Sequence, residues 1–144
     1  MKTLFILATL LLLHSEKSIT AEQIIGKWMS EDKDIAVEIF KKNNSYSAQV
    51  IWFLCDPKTP EMRSFKDIEN PDPKLRNRPW LGMLVVNDLK FDGKSEWKDG
   101  NIYDPNSGRT YKSVVRLQSP DRLIVRGYWG IELFGKSLTF NKIQ

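Results

Sequence analysis

The sequence predicts an all-β fold, an antiparallel sandwich or closed barrel of seven or eight strands with little helix. Two observations carry that reading. Short segments alternate apolar and polar residues with period two, most clearly at residues 45–54 and 110–117. Turn signals then recur at short spacing: Asn43-Asn44, Asp92-Gly93, Asp99-Gly100, Asp104-Pro105-Asn106-Ser107-Gly108 and Ser119-Pro120-Asp121.

Residues 1–21 read as a signal peptide. Lys2 supplies a short basic start, residues 4–13 form a ten-residue apolar run, and Ser18-Ile19-Thr20-Ala21 offers a small residue for cleavage before Glu22. The run falls short of the roughly 20 residues that a membrane-spanning helix needs, so no transmembrane segment is expected. Export follows, to the periplasm or beyond the cell.

Residues 22–144 then form one domain. Residues 22–30 read as a short helix or turn leading into a first strand, and residues 32–34 turn the chain. Residues 35–41 are strand-like, with Asn43-Asn44 tolerating the left-handed backbone of a hairpin. In residues 45–54, Tyr46, Ala48, Val50, Trp52 and Leu54 are expected on one face. Residues 56–79 break the pattern, holding five of the seven prolines. Proline removes a ladder donor and restricts its predecessor, so this is a long loop, with one helical turn expected at 65–69. Sheet resumes at 81–91, with Met83, Val85, Leu89 and Phe91 sharing a face. Residues 95–103 supply a further strand or pair, and 110–117, 123–128 and 137–143 complete the set. Gly127 and Gly130 flank Trp129, where a bulge or a close backbone approach is expected.

Composition narrows the chemistry. His14 is the only histidine and leaves with the signal peptide, so the mature chain has no imidazole for Ser-His-Asp or Cys-His catalysis or for His-ligated metal. The single Cys55 can form no intramolecular disulfide and reads as a bland thiol. Net charge is +4, falling to +3 once two lysines and one glutamate depart with the signal. The basic residues form no run, so nucleic acid is not an expected partner. No cofactor and no metal are expected.

Several motifs in order carry a likeness: Gly26-x-Trp28, Asn70-Pro71-Asp72-Pro73-x-Leu75-Arg76-x-Arg78-Pro79, Gly82, Trp97-x-x-Gly100-x-Ile102-Tyr103-Asp104-Pro105-x-Ser107-Gly108-x-x-Tyr111 and Val125-Arg126-Gly127-Tyr128. Together they resemble the exported bacterial family called domain of unknown function 2147, over nearly the whole mature chain. The resemblance implies a lipocalin-like, up-and-down β-barrel and brings no established activity. A looser likeness to lipocalins in general rests on Gly26-x-Trp28. It implies that Trp28 plugs one barrel end with a basic residue of the last strand across its ring, for which Lys142 is the candidate.

The sharpest candidate site is the proline-rich loop. Arg76 and Arg78, stiffened by Pro73 and Pro79, could grip an anion, or instead pair with Asp67, Glu69 or Asp72 and tie the loop to the barrel. Asp104, Ser107 and Tyr103 could form a polar cluster at a barrel mouth, although Asp104, Pro105 and Gly108 also suit simple turn chemistry. Arg126, inside an apolar strand, must face solvent or pair with Asp104 or Glu132. Trp52, Trp80, Trp97 and Trp129, with Tyr46, Tyr103, Tyr111 and Tyr128, could line an aromatic pocket, but their bulk favours a filled barrel. Asp99 and Asp104 are conceivable as paired carboxylates.

The expected function is therefore non-enzymatic. A monomeric exported barrel would bind a small apolar or amphipathic ligand within or at its mouth, with Arg76, Arg78 or Arg126 meeting an acidic end. The alternative is a cell-envelope interaction module using loop 56–79, with an exposed apolar patch around Phe65 and Trp80. A hydrolase ranks third.

Overall fold

Short turns between alternating segments leave each strand one partner choice, its neighbour in sequence. The structure, a computed structural model, describes residues 16–58 and 61–144. The apolar run at 4–13 and His14 lie outside the described residues. Eight strands follow: β1 (Gly26–Ser30), β2 (Ile35–Lys42), β3 (Ser45–Phe53), β4 (Leu84–Phe91), β5 (Glu96–Asp104), β6 (Arg109–Ser119), β7 (Arg122–Tyr128) and β8 (Lys136–Ile143). Each pairs antiparallel with the next, and β8 pairs back onto β1, Trp28 opposite Lys142, so the sheet closes into an up-and-down barrel. Of the sandwich and the barrel, the chain forms the barrel.

Up-and-down order sends alternate connections to opposite ends. The β2–β3, β4–β5 and β6–β7 turns lie at one end together with the 3-10 turn Ala21–Ile24. This end is sealed by two buried indoles: Trp28 donates from Nε1 to the Ile24 carbonyl at 2.8 Å, and Trp97 to the Ala21 carbonyl at 2.9 Å. Lys142 Nζ lies 5.3 Å from the Trp28 ring centroid, and Phe91 packs on Trp97 with ring centroids 4.8 Å apart. Polar N–H groups on large apolar bodies suit a plug, because a backbone carbonyl of the covering turn satisfies each one.

The other end gathers the β1–β2, β5–β6 and β7–β8 connections and the long segment 54–83. Here the strands depart from strict alternation. In β3 the register shifts against β2, Val37 opposite Val50 but Ala36 opposite Trp52, so Phe53 turns inward and Trp52 is half-buried outside the core. The face expected to run through Trp52 is corrected by that bulge. In β4, Asp88 at φ 61° lets both Val86 and Leu89 face the interior. In β5, Asp99-Gly100 makes no hairpin. Asp99 adopts φ 63° and the register shifts between Trp97 and Gly100, so residues 96–104 form one bulged strand.

Within the long loop, 3-10 turns occupy Met62–Ser64 and Pro73–Leu75, and the helical turn expected at 65–69 is instead an antiparallel bridge between Lys66 and Pro79. Gly127 sits within regular β7, where an added Cβ would make only ordinary contacts, whereas Gly130 adopts φ 71° in the following turn.

The bulge at Gly100 permits a close crossing, since a Cβ there would lie 2.6 Å from the Asn87 carbonyl oxygen and 2.8 Å from Leu89 Cδ2. Gly100→Ala is therefore expected to lower stability by about 1–3 kcal/mol in urea titration with an unchanged slope. A change below about 0.5 kcal/mol, the range of an ordinary surface substitution, would show that the crossing relaxes freely.

Candidate ligand cavity

The interior between the two ends is open. A cavity of about 570 Å³ runs from the middle of the barrel to the end bearing the β1–β2 and β5–β6 turns. Val37, Ile39, Ala48, Val50, Val115 and Leu123 form much of its wall. The filled barrel expected from the aromatic content is thus corrected: the large rings close the ends and aliphatic side chains line the middle. Of the candidate pocket residues, Tyr103 and Asp104 line the cavity, and Trp52, Trp97 and Trp129 do not. Trp80, expected both among the pocket aromatics and beside Phe65 in an exposed patch, does line it.

Loop 62–80 is folded against the mouth by one buried carboxylate. Asp67 has no solvent exposure and accepts from Tyr103 Oη at 2.5 Å, Asn70 Nδ2 at 2.7 Å and Arg78 Nε at 2.9 Å. A buried carboxylate needs such donors, because an unpaired charge away from water is strongly disfavoured. Arg78 also lies over the Tyr103 ring, 5.4 Å from its centroid. The proline-rich motif supplies the frame. Pro73 stands in the 3-10 turn capped by Asp72, whose carboxylate accepts from Lys74 N, and Asn70 Oδ1 accepts from Asp72 N. Arg76 donates from Nε to the Asn70 carbonyl at 2.7 Å. Arg76 and Arg78 therefore hold the loop, and neither lines the cavity.

On the other side of the loop, Phe65 and Trp80 pack with Phe53, ring centroids 5.2–5.5 Å apart. Both are half-buried, so the exposed patch expected around them is not present, although Ile68 and Leu75 of the same loop are exposed. The β5–β6 turn meets the loop closely. Gly108 adopts φ 70°, and a Cβ there would lie 2.0 Å from the Glu69 carbonyl oxygen. Pro105 lines the mouth, and Asp104 Oδ2 accepts from Ser107 Oγ at 2.7 Å.

The other candidates lie outside the cavity. Arg126 donates to the Glu132 and Leu133 carbonyls and to Ser137 Oγ, clamping the β7–β8 connection, while the Glu132 carboxylate goes to Arg116. Arg126 thus meets Glu132 through its backbone. Trp129 stacks on Tyr111 and donates to the Thr110 carbonyl on the outer wall. Asp99 and Asp104 stand five residues apart on one strand, roughly 16 Å at the usual rise. That exceeds the separation of about 5–9.5 Å that paired glycosidase carboxylates require.

Asp67 is the functional residue that sequence reading underweighted. Asp67 appeared only as one possible partner for the arginines, and its spacing to Asn70 and Arg78 was the available signal.

Burial and the hydrogen bond to Asp67 push the Tyr103 hydroxyl up to about 12. The folded state thus holds this proton more tightly than the unfolded chain, whose tyrosine titrates near 10. The stabilisation is complete below pH 10 and is lost as pH rises toward 12. Tyr103→Phe is expected to cost about 1–3 kcal/mol at pH 7 by removing a donor from a buried carboxylate. Its stability difference from the wild type should shrink between pH 10 and 12 in parallel urea titrations. A difference constant across that range would refute the coupling.

Comparison with known proteins agrees with this geometry. A family model described as "Uncharacterized protein conserved in bacteria (DUF2147)" matches residues 26–142. Among solved structures, the chain is similar to HP1028 from the human pathogen Helicobacter pylori, described as belonging to the lipocalin family. The two are 28% identical with a TM-score of 0.71, over 84% of this chain and 83% of that one. No curated protein sequence matches.

Proposed function

We propose that this chain, which belongs to the bacterial DUF2147 family, is an exported protein that binds a small, largely apolar ligand inside its barrel. The cavity is the observation that carries the reading. At about 570 Å³ it falls within the roughly 300–1,000 Å³ usual for small-molecule sites, and it joins apolar walls to a polar rim. A barrel sealed at one end by Trp28 and Trp97 and open at the other gives a ligand one way in. The lipocalin description of a similar structure supports binding over catalysis, as does the wide separation of Asp99 and Asp104.

Export rests on Lys2, the apolar run at 4–13 and the small residues before Glu22. Among the described residues, no helix is long and apolar enough to cross a membrane. Intact mass of the protein recovered from its native envelope fraction should lack the leader, and a chain beginning at Met1 would refute export.

Binding is tested with the neutral apolar fluorophore N-phenyl-1-naphthylamine. Saturable one-to-one binding is expected, and Ala48→Phe, which adds a ring to the cavity wall, should weaken it at least about tenfold, or 1.4 kcal/mol. Thermal unfolding of the variant checks that the barrel persists. Absence of saturable binding to the wild type would refute the reading.

A further inference from the structure

We propose that the ligand is a cation-bearing amphiphile, with its apolar body in the barrel and an ammonium-type head at the mouth. This rests on the binding reading above and names the class of molecule. The chain has 22 basic and 18 acidic residues, yet the cavity lining contains Glu31, Asp32, Asp34 and Asp104 and not one lysine or arginine. Within that lining every formal charge is negative, although Lys33 stands between Asp32 and Asp34 in the same turn and Arg122 pairs with Glu31.

The four carboxylates are not equivalent. Glu31 is paired with Arg122 at 2.9 Å, and Asp104 accepts from Asn106 N and Ser107 Oγ in its own turn. Asp34 accepts from Ser30 Oγ at 2.6 Å, a neutral donor. Among the described residues, Asp32 and Asp34 enter no ion pair. They are the charges left for a ligand.

Aromatic rings line the same cavity. Leu54 N donates to the Asp34 carbonyl at 2.8 Å, which brings the end of β3, with Phe53, against the β1–β2 turn. Phe53 and Trp80, ring centroids 5.3 Å apart, line the same cavity. Carboxylates with aromatic faces nearby attract an ammonium group through both its charge and the ring quadrupole.

A carboxylate or sulfate head would meet like charge at this opening. The arginines that might have received it are engaged elsewhere: Arg78 on Asp67, Arg76 on the Asn70 carbonyl and Arg126 on the β7–β8 connection.

The test is displacement of bound N-phenyl-1-naphthylamine by four ligands of equal chain length: dodecyltrimethylammonium, dodecylamine, dodecanol and dodecanoate, each below its micellar concentration. At pH 7.5 and low salt, the two cations are expected to bind at least about tenfold more tightly than dodecanoate, with dodecanol between them. Salt at 0.5 M should compress the spread, since exposed charges are screened. The double variant Asp32→Asn, Asp34→Asn keeps an oxygen acceptor for Ser30 and should bring cation and anion within about threefold while leaving dodecanol affinity unchanged.

Dodecanoate binding as tightly as the cations would overturn the proposal while leaving the apolar cavity reading intact. So would a preference that survives the double variant. Failure of the fluorophore itself to bind would overturn both.

Discussion

A carboxylate shut away from water can persist only where donors surround it, and Asp67 imposes that condition on the open end of the barrel. Its donors come from two places. Asn70 and Arg78 belong to the loop, whereas Tyr103 belongs to β5. The charge is satisfied only when the loop sits on the barrel, so the loop's position is determined by electrostatics as much as by packing. The Phe53, Phe65 and Trp80 cluster supports it on one side, and Gly108, lacking a Cβ, leaves room for the Glu69 carbonyl on another. Tyr103 in turn becomes part of the cavity wall, which ties the shape of the opening to a hydrogen bond outside it.

The two ends of the barrel solve opposite problems with the same residue type. At the sealed end, indoles are wholly buried and each N–H is spoken for by a carbonyl of the covering 3-10 turn. At the open end, Trp80 is only half-buried and its N–H has no partner among the described residues. Between them the cavity wall is mostly Val, Ile, Leu and Ala. An aromatic-rich chain can therefore still keep an open interior.

Much of the fold was legible because its signals are local. Period-two alternation gave the strands, and the Asp-Pro-Asn-Ser-Gly run gave the β5–β6 turn, where side-chain and backbone bonds from Asp104 act within four residues. Gly26-x-Trp28 and Lys142 were legible through family likeness, and the ring and ammonium do meet. Asp99-Gly100 shows the limit of local reasoning. The same left-handed preference serves a hairpin or a bulge, and only the neighbouring strand decides which. Trp52 and Phe53 exchanged faces for the same reason, because one bulged residue reverses everything after it. The cavity was hardest to read, being the space that side chains from many strands jointly fail to fill. Its carboxylates shared that difficulty, since Glu31, Asp32, Asp34 and Asp104 come to line one cavity only after closure.

The β1–β8 seam has a kinetic consequence. Every other pairing joins strands consecutive in the chain, and all of these except β3–β4 are hairpins that form with little loop-closure entropy. The largest single closure falls on the junction where Lys27 meets Ile143 and Trp28 meets Lys142, with the β3–β4 pairing across segment 54–83 the second. That makes the last strand the staple of a folded ribbon. Without that pairing the sheet would be an open ribbon with two edges, and the interior would be a groove rather than an enclosed cavity.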